Sequence, residues 1–256
     1  MFYLAKRFIA YLIDMMVIMI IVYTISSIPF INTNKEKYNE EYNKYLENYN
    51  EYYSFRLDLL EYYEDEELTT KEYKKLVKNS EFYQSILDKY YKDNKLSKKS
   101  YNKLIKEIDE TYNKEYKKTY YKLEKYNLCY NISYTVVVLL YFVGFNILTN
   151  GATLGKKLLR LRIVSNKDNT KVSVINYIIR CILLYQPIAY LTKLITINFL
   201  SVNDFYNLNS IVYNIHSCLE FIILTFMMVR LDKRGLHDIL ANTKVISLDK
   251  EGNELL

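Results

Sequence analysis

The sequence predicts an all-α fold: a polytopic helical membrane protein with four transmembrane helices and a long soluble helical insert between the first and second. Three observations lead there. Half of the 256 residues are hydrophobic and a quarter charged, yet the two kinds are segregated along the chain, whereas a soluble domain interleaves them. Glycine and proline number only 5 and 2, which suits long helices and leaves few sites for tight hairpins. Finally, several apolar runs are long enough to cross a bilayer.

The first of these is KRFIAYLIDMMVIMIIVYTISSIPFI, from Lys6 to Ile31, and Asp14 is the one charge after Arg7. At 1.5 Å per residue it covers roughly 36 Å, against a hydrocarbon core of about 30 Å. Lys6, Arg7, Ser26 and Ser27 also fit a secretory signal, but the run exceeds the about 7–15 residues of such a segment and lacks an A-x-A cleavage site. It is read as a retained span over 8–31, in a first membrane segment of residues 1–32. A carboxylate inside a span costs about 2.5–3.5 kcal/mol, so Asp14 should face protein, water or a cation rather than lipid.

Residues 33–127 form the insert, built almost wholly from Lys, Glu, Asp, Asn and Tyr, with as many acids as bases. The net charge of +6 therefore belongs to the membrane part, and no nucleic-acid partner is expected. Tyr38, Tyr42, Tyr45, Tyr49 and Tyr52 follow 4-3-4-3 spacing, with Leu59 seven further on, which reads as a coiled-coil-like seam on one helix ending near Glu67. Thr69 and Glu72 make a capping box, Ser80 caps a second short helix, and Ser97 opens the last one. LTTKEYKKL at 68–76 resembles LSKKSYNKL at 96–104, a reused helix start or a duplicated pair. Tyrosine among lysines could serve as a stacking platform for single strands or glycans, but tyrosine replacing leucine at a hairpin seam accounts for the pattern.

The remainder, 128–247, carries spans at 128–149, 172–200 and 210–229, followed by a short tail at 248–256. No break separates Ser97 from the second span, so the last insert helix should run into it. The third region contains Arg180, Gln186-Pro187 and Lys193; it is read as one span kinked at Pro187, with an interfacial helix plus a short span as the alternative. Ser201 to Asn209 is then a loop. Lys156, Lys157, Arg160, Arg162, Lys167 and Lys171 follow the second span, and Arg230, Lys233 and Arg234 the fourth, so the positive-inside rule puts both termini in the cytoplasm and the insert outside the cell membrane.

Cys129, Cys181 and Cys218 lie in or beside apolar runs without CxxC or Cys/His spacing, which argues against disulfide or zinc and for packing. No cofactor motif is present. Asp14 and Arg180 sit at matching depths and could pair; alternatively Asp14 faces a watery cavity with His216 and Glu220, one turn apart on the fourth span, forming an ion or proton pathway. Arg7 and Asp238 belong at the membrane surface, where a bridge would staple the two chain ends. His237 reads as a lone surface histidine, since adjacency to Asp238 makes neither a metal cluster nor a triad.

Arg7 and Asp14 in KRFIAYLID, TLGKKLLRLRIV after the second span, and Asp238 in DKRGLHDILANTKVI together resemble the RDD family of bacterial membrane proteins, named for one arginine and two aspartates. Typical members join the first two spans by a much shorter link, so the resemblance leaves 33–127 unexplained. It implies a membrane location and transport of ligands not yet defined, with sodium/proton exchange attributed to at least one member.

The function expected is thus a small transporter or cation/proton exchanger. The alternative is a structural or interaction protein that presents the insert to an extracytoplasmic partner. An enzyme is not expected, because no nucleophile–base pair, phosphate loop or metal spacing occurs. Four spans make a thin bundle, so a conducting path calls for a homo-oligomer in the lipid bilayer.

Overall fold

The computed structural model describes residues 2–64, 68–79, 81–92, 96–252 and 254. The chain falls into two compact units, Met1–Lys35 with Asn127–Leu256, and Glu36–Tyr126. The expected cap at Ser80 and the expected helix end near Glu67 lie outside the described residues.

The second unit is helical. It comprises most of α2 (Lys35–Glu64), then α3 (Thr70–Asn79), α4 (Glu81–Tyr90) and α5 (Lys98–Tyr126). Helix α3 starts where Thr69 accepts the Glu72 amide and Glu72 accepts the Thr69 amide, two otherwise orphaned donors satisfied reciprocally. Ser97 does the same for the Ser100 amide at the start of α5. The similar segments are used alike: Leu68 and Leu76 in one, Leu96 and Leu104 in the other, all join a core with Phe55, Leu59, Leu87 and Ile108. Pairs Glu41–Lys122, Tyr45–Tyr116, Tyr52–Tyr112 and Arg56–Asp109 run α2 antiparallel to α5. That pairing covers Tyr45 and Tyr52 but leaves Tyr42 and Tyr49 largely exposed, so the tyrosine row is a half-open rail rather than a buried seam.

The first unit opens with α1 (Phe2–Ser27). Pro29, which lacks an amide donor and disfavours helix at the residue before it, follows its end. Asn127 takes φ −89° and ψ 10°, so a new helix, α6 (Leu128–Leu139), begins there instead of continuing α5. A π-helical stretch at Leu140–Phe145 and α7 (Asn146–Leu148) complete this second apolar segment. After α8 (Leu154–Leu158) comes a strand, β1 (Leu161–Ser165), paired antiparallel with β2 (Thr243–Ser247) at the other end of the unit. The purely helical expectation is corrected here: LRIVS buries Leu161, Ile163 and Val164 and TKVIS buries Thr243 and Val245, and the two segments pair as a ribbon.

The third apolar region divides into α9 (Val174–Tyr185) and α10 (Pro187–Thr196), bent by 76° at Gln186. This is a break rather than a mild kink. Pro187 pushes its predecessor out of the right-handed helical region, and Gln186 adopts a left-handed conformation at φ 55°. The expected loop at 201–209 is also helix: Ser201 caps α11 (Val202–Val229) by accepting the Asp204 amide. The unit ends with α12 (Leu236–Leu240) before β2.

Among the described residues, three helical segments, Tyr3–Ser27, Leu128–Leu148 and Val202–Val229, are long and apolar enough to cross a membrane, and the bent pair makes up to four. Phe8, Met16, Ile20, Phe221 and Met228 point their side chains outward. A soluble fold would bury such groups, so the outer surface is suited to lipid. Of the cysteines, Cys181 is buried and Cys129 intermediate, whereas Cys218 is exposed on α11, contrary to the packing role expected of all three.

Candidate functional site: two buried carboxylates

Asp14 and Asp238 are both fully buried, each in a different kind of cradle. Asp14, on α1, accepts the Tyr141 hydroxyl at 2.7 Å and the Gly155 amide at 2.8 Å on Oδ1, and the Thr153 hydroxyl at 2.5 Å on Oδ2. The Lys156 ammonium stands 3.6 Å from Oδ2 and also donates to Thr153 Oγ1 at 3.1 Å. Local sequence explains why these groups converge. The π-helical stretch carries Tyr141, and such stretches re-aim side chains and occur often at functional sites.

The segment Gly151-Ala-Thr-Leu-Gly155 brings the others. Gly151 has φ 94°, and a Cβ there would lie 2.2 Å from the Ile163 carbonyl oxygen. A Cβ at Gly155 would lie 2.2 Å from the Ala10 carbonyl oxygen, so only glycine lets α8 approach α1 closely enough to donate to Asp14.

Asp238, on α12, is clamped by arginines. Arg7 Nη2 donates to Oδ2 at 2.7 Å, Arg180 Nη1 donates to Oδ1, and the Gly235 amide donates to Oδ2 at 3.1 Å. Arg180 also donates to Thr243 Oγ1 at 2.6 Å, and Arg7 to the Lys233 carbonyl at 2.6 Å. The expected Arg7–Asp238 contact is therefore present, but the pairing of Arg180 with Asp14 is not: Arg180 turns to Asp238, because α9 packs against α12. His237 is buried, correcting the expected surface position, with Nε2 3.3 Å from Asp238 Oδ2.

Electrostatics separate the two. Burial raises the Asp238 carboxyl, but Arg180, His237 and Arg7 together outweigh it and hold the group far below the usual carboxylate range. Burial pushes His237 down to about 3 despite Asp238, so the ring is neutral at pH 7. Burial likewise brings the Lys156 amine down to about 8, with Asp14 opposing the shift. Lys156 is thus a buried amine whose proton is held less tightly than that of an ordinary lysine.

A cavity of about 660 Å³ lies between α1, α9 and α11. Apolar side chains such as Phe8, Leu184, Ile223 and Met227 form most of its wall, with Arg7, Lys156, Arg180, His237 and Glu220 as the charged or polar members. Of the four expected pathway residues, Arg180 and Glu220 line it, whereas Asp14 reaches it only through Lys156. His216 Nδ1 lies 3.8 Å from Glu220 Oε1, beyond hydrogen-bond range, and Glu220 instead accepts Gln186 Nε2 at 2.6 Å. Lys156 and Thr153 were missed as site residues; a lysine three positions after a threonine in a basic loop carries no sign of burial.

Helices long and apolar enough to cross a membrane, enclosing a buried charge network, are the marks of a helical membrane protein. The RDD family model matches residues 115–242, half of the sequence, and the chain belongs to the RDD family. The match begins after most of the insert, so Arg7 and Asp14 on α1 lie before it, although both contact residues within it. No curated protein and no solved structure matches the chain.

Proposed function

We propose that this RDD-family chain is a membrane transport protein that exchanges a small cation for a proton at the Asp14–Lys156 pair. The observation that carries this reading is the position of Lys156: its amine sits at the wall of the cavity, buried, against a carboxylate with hydroxyl neighbours. Protonated Lys156 neutralises Asp14. Once the amine gives up its proton, Asp14 with Thr153 and Tyr141 presents oxygen ligands to a hard cation, and reprotonation favours its release. The pKa of Lys156 near 8 supports this role. No chemical step on a substrate is assigned to the protein.

The topology proposed with it has four crossings. The β1–β2 pairing and the Arg7–Asp238 bridge support a shared face for the start of α1, the end of the second span and the end of α11. If α11 crosses once, the chain from α9 to α10 must cross once as well. The basic residues at 156–171 and 230–234 favour the cytoplasm for that face, which puts both termini inside and the insert outside.

The test is flux in proteoliposomes under a pH gradient with sodium or potassium. Wild type should couple proton to cation movement, Asp14→Asn should lower the rate at least tenfold, and Lys156→Gln should remove the dependence of rate on pH around 8. Uncoupled or absent flux in the wild type would sink the proposal. Unchanged flux in folded Asp14→Asn, combined with loss on deleting 36–126, would instead support the structural or interaction reading.

A further inference from the structure

The cavity of about 660 Å³ between α1, α9 and α11 is divided by chemistry. At one end Arg7, Arg180 and His237 converge on Asp238, and Lys156 stands by Asp14. Phe8, Leu184, Ile223, Leu224 and Met228 wall most of the rest. Glu220, the remaining charged lining residue, accepts from Gln186 and lies about 10 Å along α11 from Met227, whose side chain flanks Gly235 together with His237. The cationic groups are therefore gathered at the Asp238 end.

Two features mark that end as suited to a polar guest. Arg180 is buried and donates to Asp238 and Thr243 through Nη1, and among the described residues its Nε and Nη2 make no hydrogen bond. These two nitrogens form the side-on edge of the guanidinium, whose parallel N–H groups match the two oxygens of one carboxylate. His237 Nδ1 is enclosed and likewise has no hydrogen-bond partner among the described residues. Buried polar atoms normally find partners, so an apolar guest alone would leave this end unsatisfied.

Charge gives the sign of the guest. Three cations, Arg7, Arg180 and Lys156, face two carboxylates, Asp14 and Asp238, and one positive charge is left over at this end among the described residues. Access selects its source. Phe8, Leu224 and Met228 line the cavity and are each more than half exposed on the outer apolar surface, so the cavity opens on the side suited to lipid. Its volume lies within the range of about 300–1,000 Å³ typical of small-molecule sites. A single chain with a terminal head can reach the closed polar end, whereas a phosphate flanked by glycerol and two chains is broader than the edge it would meet.

We propose that this cavity binds a long-chain carboxylate, its head on the Nε–Nη2 edge of Arg180 and its chain along Phe8, Leu184, Ile223 and Leu224. The site does not require cation–proton exchange at the Asp14–Lys156 pair, and binding is read without flux, so it survives failure of the transport reading.

The test is saturable binding of tritiated palmitate to the full chain in phosphatidylcholine nanodiscs, read by scintillation proximity. Tritiated hexadecanol, the uncharged analogue of the same chain, is the control. Palmitate should bind at least tenfold more tightly than hexadecanol, and unlabelled acetate should not displace it. Arg180→Lys keeps a cation for Asp238 but loses the side-on edge, and should weaken palmitate about tenfold while leaving hexadecanol within about twofold of wild type. Leu224→Trp narrows the apolar part at a half-exposed position and should weaken both ligands about tenfold. Circular dichroism confirms that each variant folds; should Arg180→Lys not fold, Leu224→Trp and the hexadecanol and acetate arms decide. Absence of saturable binding, equal binding of palmitate and hexadecanol, displacement by acetate, or binding unchanged in the folded variants overturns the assignment. Loss of palmitate binding when phosphatidylglycerol is added to the nanodiscs overturns it too, since the occupant is then a two-chain lipid.

Discussion

Asp14 and Asp238 are equally buried, yet their partners make them opposites. Asp238 faces two guanidiniums that remain charged at any biological pH, so its cradle is locked. Asp14 faces an amine brought down to about 8, two hydroxyls and a backbone amide. Burial of a carboxylate therefore says little about its task. What surrounds it, two guanidiniums in one case and an amine with hydroxyls in the other, sets the two apart.

The largest difference should come from deleting the carboxylates. Asp238→Ala leaves Arg7 and Arg180 buried without their counter-charge and should cost about 3–5 kcal/mol, read as a loss of folded yield and a sharp drop in thermal stability in detergent. Asp14→Asn, which keeps an acceptor for Tyr141 and Gly155, should cost markedly less. Equal losses for the two would erase the contrast. Next in size is Gly155→Ala: its methyl would meet the Ala10 backbone, forcing α8 off α1 at about 1–3 kcal/mol. Cation-coupled flux should fall with it while the Arg7–Asp238 bridge stays intact, as a double-mutant cycle between positions 155 and 238 can report.

Titration should divide the two centres by pH. Burial holds the His237 ring at about 3, below the ordinary histidine value of about 6.5. The unfolded chain therefore binds the extra proton between these values, and stability falls as pH drops from 6.5 towards 3, by at most about 1.4 kcal/mol per unit. His237→Gln should flatten that acid limb. Lys156, brought by burial to about 8 from the ordinary lysine value of 10.5, acts at the other end. There the unfolded chain holds the proton that the folded chain has released, so the cost of burying the cation is full below pH 8 and is relieved as pH rises to 10.5. A melting-temperature series across both windows, wild type beside Lys156→Gln, checks the assignment. The smallest effect belongs to the insert, where Tyr52→Phe removes only the hydroxyl that donates to Asp109 at 2.8 Å and should cost about 0.5–1.5 kcal/mol by thermal melt.

Much of the helical layout was legible because its signals are local. Thr69 with Glu72 marks a helix start, and the long apolar run from Phe8 announces a span without reference to anything else, although the helix stops at Ser27, before Pro29, and not at residue 31 as the run suggested. The errors share one cause. Ser201 with Asp204 is as good a cap as Thr69 with Glu72, but the polar residues after it suggested a loop because the helix was expected to start with its apolar part. LRIVS was read as part of a basic loop, and its partner TKVIS lies some eighty positions away.

The amino-acid order by itself determined which segments are apolar, where most helices begin, that the insert is a separate composition, and which acids and bases inside the apolar regions need partners. These follow from the free energy of burying individual groups, a property of each residue and its near neighbours. Only the tertiary structure decided who partners whom: that Arg180 serves Asp238 and leaves Asp14 to Lys156, and that His237 is enclosed. Several matches at similar depth were open to each charge, and packing geometry, set by Gly155, the π-helical stretch and the β1–β2 ribbon, selected one among them.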